Sequence, residues 1–140
     1  MEYLFRGKRA LGGEWIEGDY AKTHFTKRIV SNQDGRIIHY IVHPESIGMW
    51  SGLTTKGDNL VKVFEGDIIW SEDYIGIVRL GRCKQVPGGK ENIGFYVEFV
   101  SGDDKANVRN DLIYWIEQAG AQVIGNVTDN PELVEVTTND

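Results

Sequence analysis

The chain has 140 residues, of which 41% are hydrophobic and 26% charged, and its formal net charge at pH 7 is −6. This length suits one domain with its own core, and the composition is that of a globular protein, not of a disordered one. The acidic balance argues against a strongly basic nucleic-acid binder, and a single cysteine excludes an internal disulfide. With neither a membrane-spanning apolar run nor a secretory signal pattern, we expect a soluble, cytoplasmic protein.

Glycine, aspartate and asparagine divide the chain about every 8–12 residues into runs rich in β-branched and aromatic side chains, which is typical of short strands joined by turns. The predicted strands are Tyr3–Arg6, Glu14–Ile16, Lys27–Val30, Arg36–Val42, Asp67–Trp70, Gly76–Leu80, Gly94–Val100 and Gln122–Val127. Asp34-Gly35 predicts a tight hairpin turn between the third and fourth of these.

Short connections favour antiparallel pairing, because parallel strands need long crossovers. The predicted fold class is therefore mostly β: a small antiparallel barrel or highly bent sheet of SH3-like complexity, with at most one or two short helical segments near the C-terminus. We expect a single β-rich domain over residues 1–136 and a frayed polar end at residues 137–140.

Residues 108–119 fit a helix and a strand equally well. Leu112, Trp115 and Ile116 fall at helical spacing, yet the run from Leu112 to Ile116 is strongly strand-prone. A second short helical segment is predicted at Asn130-Pro131, since asparagine favours the N-cap and proline the first helical position.

Two long loops are predicted. Residues 82–92 are almost wholly polar, include Cys83, and are expected to be mobile. Residues 43–59 carry four large apolar side chains and are expected to be ordered. These are Ile47, Met49, Trp50 and Leu53.

The triplet Glu-Gly-Asp occurs twice, and each copy predicts a tight turn that leads into a strand. The structural turn residues are Gly18 and Asp19 in the first copy and Gly66 and Asp67 in the second, joined by Asn130 and Pro131 near the C-terminus. A functional reading would make Asp19 and Asp67 a carboxylate pair for metal or acid–base chemistry, but we favour the turn interpretation.

Motifs for catalysis or cofactor binding are missing from the sequence. The three histidines have no metal-site spacing, Cys83 has no neighbouring base, and no glycine-rich run has phosphate-binding spacing. We therefore predict no catalytic residues, no metal, no cofactor and no enzymatic activity.

An ordered set of short motifs nevertheless resembles a known family. The motifs are Phe5-Arg6-Gly7-Lys8, Gly13-Glu14-Trp15-Ile16-Glu17-Gly18-Asp19, Pro44-Glu45-Ser46-Ile47-Gly48 with Gly52-Leu53, Phe64-Glu65-Gly66-Asp67-Ile68-Ile69, and Val123-Ile124-Gly125-Asn126-Val127 with Asp129-Asn130-Pro131-Glu132-Leu133. In this order they look like the YopX family of small phage and prophage proteins. The pattern departs at Met49-Trp50, where a glutamine and an aromatic are usual, and at Val127-Thr128, where Ile-Tyr is common.

The resemblance implies a mostly β, phage-encoded, cytoplasmic protein that self-associates, and it brings no catalytic site. We therefore interpret the chain as a non-catalytic, homo-oligomeric binding or scaffolding module whose precise role is unknown. The predicted interface is Ile47, Met49, Trp50 and Leu53, because strand side chains such as Val97, Phe99, Ile68 and Ile124 can fill a small core without them. Whether Trp50 covers the core or anchors the interface stays open.

Two alternatives remain. Residues 1–40 hold seven basic and five acidic side chains, and basic groups interleaved with aromatics suit a barrel that binds single-stranded nucleic acid. The candidate residues for that function are Arg6, Lys8, Arg9, Lys22, Lys27 and Arg28. The third and least favoured alternative is a hydrolase built on Asp19, Glu65 and Asp67.

Overall fold

The computed structural model describes residues 3–23, 25–84 and 86–135, with only the backbone at residue 106. Its strands are β1 (Phe5–Lys8), β2 (Trp15–Lys22), β3 (Lys27–Gln33), β4 (Arg36–Ile41), β5 (Gly48–Thr54), β6 (Lys62–Phe64), β7 (Asp67–Ser71), β8 (Tyr74–Lys84), β9 (Glu91–Ser101) and β10 (Gln122–Asn126). One short helix, α1 (Tyr114–Gln118), and three 3-10 turns (Pro44–Ser46, Lys105–Asn107, Pro131–Val134) complete the described elements. The mostly β, antiparallel class is confirmed, and the described strands form bent sheets instead of a closed barrel.

Internal contacts divide the chain into two compact units, residues 1–50 and 51–140. The boundary falls inside β5, whose first residues pair with β1 in the first unit and whose last residues lie beside β6 in the second. The expectation of one domain over residues 1–136 stays a prediction. The expected frayed end, residues 137–140, lies outside the described residues.

The first unit is an antiparallel sheet in the order β4-β3-β2-β1. Gln33 pairs with Arg36 across Asp34-Gly35, and both turn residues have positive φ, as the predicted hairpin requires. Ile29 and Val42 are its buried apolar residues.

Gly7 of β1 leaves room for two side chains that pack against it, those of Val42 and Ile29. A Cβ atom at Gly7 would come within 2.9 Å of the Val42 Cγ2 atom. The chain beyond β1 then reaches the end of β4: Arg9 bridges Val42, and the His43 N–H donates to the Lys8 carbonyl at 2.9 Å. The absence of a side chain at Gly7 leaves room for the Val42 and Ile29 side chains beside this junction.

The predicted turn at Gly18-Asp19 is wrong. β2 continues through both residues to Lys22, and Gly18 has extended backbone that any residue can adopt. Glycine is needed here for space, because a Cβ at Gly18 would collide with the Val30 carbonyl of β3. The second copy of the triplet differs, since Gly66 has φ +92° and forms a turn before β7.

The second unit pairs its strands in the order β10-β7-β8-β9. Its core is one cluster of buried side chains: Val63, Ile69, Val78, Val97, Leu112, Trp115, Ile116 and Ala121. The ambiguity over residues 108–119 is resolved as a short helix over residues 112–118, and helical spacing buries Leu112, Trp115 and Ile116 together. α1 has π-type hydrogen bonding, in which the Ala119 N–H donates to the Tyr114 carbonyl at 3.0 Å.

Both long-loop predictions are wrong in extent. Residues 48–54 form β5 instead of a loop. The Trp50 N–H donates to the Leu4 carbonyl at 2.8 Å, and this long-range hydrogen bond could not be predicted from the local sequence. β8 and β9 extend into both ends of the predicted mobile loop, so that Lys84 pairs with Glu91. Long polar strands are stabilised here by cross-strand pairs such as the Arg82–Glu91 ion pair at 3.4 Å.

One predicted core residue is also misplaced. Ile124 of β10 is 40% exposed, whereas Ile68 and Val97 are buried and Phe99 packs against the core cluster. Strand alternation explains the difference, because neighbouring residues of a strand point to opposite faces and Val123 takes the core-facing position.

We expect Gly18→Ala to lower the free energy of unfolding by about 3 kcal/mol, at the upper end of the cost of overpacking, because the obstacle is backbone. Gly81→Ala is the matched control. Gly81 is also a strand glycine without positive φ, but its added Cβ would meet only Tyr96 at an ordinary 3.9 Å. Chemical denaturation of both variants checks this, and equal stabilities would contradict it.

Candidate functional site

The outer edge of β4 is the open edge of the first unit's sheet. The Val42 N–H donates to the Lys27 carbonyl (3.2 Å), whereas the Ile41 carbonyl accepts from the Ala10 N–H (2.9 Å) on the opposite side. Backbone groups of an antiparallel strand alternate in direction, so those of Ile37 and His39 also point away from β3. Within the described residues, no strand pairs with the edge at these two positions.

A groove of about 330 Å³ runs along this edge. One wall is the segment after β1, Arg9 to Leu11, and the other is β4 from Ile38 to Ile41. The Arg9 guanidinium lies 5.3 Å from the centre of the Tyr40 ring and forms an ion pair with Glu14 at 2.9 Å. The hydrogen bond from Arg9 lowers the pKa of the Glu14 carboxyl. These contacts hold the outer wall in place beside the strand.

Apolar side chains flank the open backbone. Ile37 is 67% exposed, and Ile41 and Leu11 are also exposed. By strand alternation, Ile37, His39 and Ile41 share one face of β4. An edge strand with exposed isoleucines and no proline is a template for pairing with another extended segment. We call Ile37, His39 and Ile41 the β4 edge.

The sequence-predicted interface residues lie elsewhere and do not form a loop. Met49, Trp50 and Leu53 belong to β5, and Ile47 directly precedes it. All four are half-buried. Met49 pairs with Phe5, while Leu53 packs against the core of the second unit. Their role in association stays a prediction, but they are not the exposed apolar patch that the sequence indicated.

The six basic candidates are divided between the two faces of the first sheet. Strand register places Arg6, Lys8 and Arg28 on one face and Lys22 and Lys27 on the other. Glu17 lies directly opposite Arg6, whose guanidinium is 4.7 Å from the centre of the Trp15 ring. Arg9 is held by Glu14, as described above. The six therefore do not make one continuous basic surface.

Among the acidic candidates Asp19, Glu65 and Asp67, the contact observed for Asp67 is structural. The Asp67 side chain is buried and accepts a hydrogen bond from the Phe64 N–H at 2.7 Å, which closes the turn at Gly66. Asp19 is an exposed residue of β2 in the first unit, whereas Glu65 and Asp67 belong to the second. No group of three or more potential metal ligands occurs among the residues that the structure describes.

Cys83 lies in β8, not in a loop, and pairs with Asn92. Burial raises the pKa of its thiol, and the nearby Glu91 carboxylate raises it further. The thiolate is the reactive form, so these surroundings do not activate Cys83 as a nucleophile.

The 3-10 turn at Pro131 is initiated as the sequence indicates, with proline in its first turn, but Asn130 makes no side-chain cap to it. The Asn130 Oδ1 atom accepts instead from the Asn126 N–H at 3.2 Å, at the end of β10. Asn130 thereby ties the turn back to the strand that precedes it.

The comparison with family models gives one match, to the model described as YopX protein, over residues 4–135. The chain belongs to the YopX family. The resemblance found in the sequence motifs is thus confirmed over nearly the whole chain. No curated protein and no solved structure matches it. In the described part of this YopX-family chain, no helix has the length and apolarity to cross a membrane.

The β4 edge was missed because all its residues lie in a correctly predicted strand, Arg36–Val42. The available signal was the pattern of isoleucines on both strand faces, at positions 37, 38 and 41, which is more apolar than one buried face requires. The sequence-based prediction assigned the surplus apolar residues to a loop, whereas in this fold the exposed apolar residues lie on an edge strand.

In the dissociated protein, amide hydrogen exchange along β4 should alternate. The N–H groups of Ile38, Tyr40 and Val42 face β3 and should exchange slowly, whereas those of Ile37 and His39 point away from β3 and should exchange fast. NMR-detected exchange at low protein concentration measures this. Uniform protection along β4 would contradict the open edge.

Asp67→Ala should lower the free energy of unfolding by about 1–3 kcal/mol, because it leaves the buried Phe64 N–H without its acceptor. Asp19→Ala, at an exposed carboxylate of β2, should change it by less than about 0.5 kcal/mol. Thermal or chemical denaturation of the two variants measures the difference, and comparable losses would argue against the turn role of Asp67.

Proposed function

We propose that this protein is a non-catalytic, self-associating binding or scaffolding module, encoded by a phage or prophage and acting in the bacterial cytoplasm. The observation that carries the proposal is the β4 edge, which offers unpaired backbone groups beside exposed isoleucines. Membership of the YopX family supports the biological setting, since the family resemblance implies phage origin and self-association.

The occupant that we propose for the β4 edge is the same strand of a second copy. Antiparallel pairing of one strand with itself is compatible with a two-fold axis, the commonest symmetry of homo-oligomers. Because the Ile41 carbonyl already accepts from Ala10, the axis is best placed at Ile38. Ile37 of each copy then lies opposite His39 of the second copy, and four backbone hydrogen bonds form between these residues.

The energetics favour such a contact modestly. Each backbone hydrogen bond contributes about 0.5–1.5 kcal/mol net, and burial of the exposed isoleucines adds about 25 cal/mol per Å². These gains must exceed the loss of translational and rotational freedom on association. We therefore expect a dimer that dissociates on dilution and not an obligate one.

The non-catalytic part of the proposal is supported by the candidate chemical groups. The Asp67 carboxylate is occupied in closing a turn, and the surroundings of Cys83 raise its thiol pKa. No arrangement of a nucleophile, a base and an orienting group was found at the β4 groove, whose described lining holds Arg9 and His39 as its only charged or titratable groups apart from Tyr40.

The experiment compares two isoleucine-to-lysine variants by sedimentation velocity over a range of concentrations. Ile37→Lys places a charge on the β4 edge and should raise the dimer dissociation constant by about tenfold or more, equivalent to roughly 1.4 kcal/mol. Ile93→Lys is the matched control, since Ile93 is 73% exposed on β9 of the second unit and lies outside the proposed contact.

Trp50→Ala extends the comparison to the interface predicted from sequence. Dissociation caused by Trp50→Ala but not by Ile37→Lys would move the interface to β5. A wild-type protein that stays monomeric at tens of micromolar would overturn the proposal altogether. Circular dichroism melts of each variant check that the folded state is retained.

A further inference from the structure

The β2–β3 hairpin brings two lysines together without a carboxylate. Lys22 and Lys27 are directly opposite in the register, and side chains in that position have Cβ atoms about 4.5–5.5 Å apart. Like charges so placed are destabilising in the absence of a counter-charge. Elsewhere in the sheet Arg6 lies opposite Glu17, but neither Lys22 nor Lys27 has an acidic partner among the residues described.

The two lysines line a groove of about 400 Å³ in the first unit. Ile41, His43 and Pro44 contribute to its wall, and Phe25 lies at its rim with 96% of its surface exposed. None of the described residues that line this groove is acidic. An exposed aromatic ring beside two ammonium groups combines a stacking platform with positive charge, and binding sites for single-stranded nucleic acid use this combination.

Hydrogen bonds between Thr23 and Thr26 join the two strands directly beyond these lysines. The Thr23 N–H donates to the Thr26 carbonyl at 2.9 Å, and the Thr26 N–H donates to the Thr23 Oγ1 atom at 3.1 Å. The two hydroxyls are also hydrogen-bonded to each other at 2.7 Å. Lys22 and Lys27, directly outside this clamp, are thereby kept side by side.

We propose that this groove binds the phosphate backbone of single-stranded nucleic acid. A phosphate would lie between the Lys22 and Lys27 ammonium groups, which supply charge-assisted hydrogen bonds, and a neighbouring base would stack on Phe25. The ring is the feature that favours a nucleic acid over a bare anion. Because the chain as a whole has a net charge of −6, binding depends on this local pair and is weak at high salt.

This site goes beyond self-association. It shares Ile41 with the β4 edge, but Lys22, Lys27 and Phe25 lie outside that edge. It also narrows the six basic residues considered from sequence to two. Lys22 and Lys27 are the pair that shares a groove with an exposed aromatic ring. Arg9 forms an ion pair with Glu14, and the Arg6 guanidinium lies over the Trp15 ring.

The test is fluorescence anisotropy of a labelled oligo-deoxythymidine at about 50 mM and about 200 mM salt. Two phosphate contacts predict a slope of log affinity against log salt near −1.4. Lys22→Gln/Lys27→Gln should bring the slope towards zero and weaken binding by about tenfold or more at the lower salt. Phe25→Ala should weaken binding roughly 5- to 150-fold and leave the slope unchanged.

Lys90→Gln/Lys105→Gln is the matched control, since it removes the same charge from the second unit. Thymidine monophosphate should compete with the oligonucleotide, and inorganic phosphate should compete more weakly because it has no base to stack. Equal losses in the two double variants, equal competition by phosphate, or no binding at low salt would overturn the proposal. Sedimentation of each variant separates loss of the site from loss of the assembly.

Discussion

At two glycines of the first unit, neighbouring groups leave no room for a side chain. Gly18 faces the Val30 carbonyl, and Gly7 lies under Val42 and Ile29, so each position excludes even a methyl group. Beyond β1, the chain reaches the end of β4 through the bridge between Arg9 and Val42. Among the described residues, no strand pairs with the outer side of β4 at Ile37 and His39, and the segment from Arg9 to Leu11 forms the opposite wall of the groove beside this strand.

Both proposed surfaces follow from this arrangement. At the β4 edge, backbone groups without a neighbouring strand meet exposed isoleucines, which is chemistry suited to an extended segment and, through two-fold symmetry, to a second copy. At the β2–β3 hairpin, paired ammonium groups meet an exposed ring, which is chemistry suited to a phosphate and a base. One surface is non-polar with directional hydrogen bonds, and the other is electrostatic. Salt should therefore affect them differently, because screening weakens charge–charge attraction much more than hydrophobic contact.

Much of the fold could be predicted from the sequence because turn chemistry and strand periodicity are local signals. The Asp34-Gly35 hairpin and the antiparallel pairing are of this kind. Gly18 could not be interpreted correctly, since the reason for it is the Val30 carbonyl on another strand, and local propensity alone suggests a turn. The same limitation applies to two segments that were predicted as loops. The segment around Trp50 is a strand, because the Trp50 N–H donates to the Leu4 carbonyl. The polar segment at Lys84 is a strand, because it pairs with Glu91. The candidate sites could not be predicted, because strand register decides which side chains share a face. Register places the basic candidates on two different faces of the first sheet.

The central claim is that two copies pair through β4, and an isotope-filtered nuclear Overhauser experiment on a mixture of labelled and unlabelled protein tests it most directly. Only contacts between different copies give signals in that experiment. Pairing through β4 should give signals between Ile37 of one copy and His39 of the other, at protein concentrations where sedimentation shows a dimer. Intermolecular signals confined to Met49, Trp50 or Ile93, with none from β4, would contradict it.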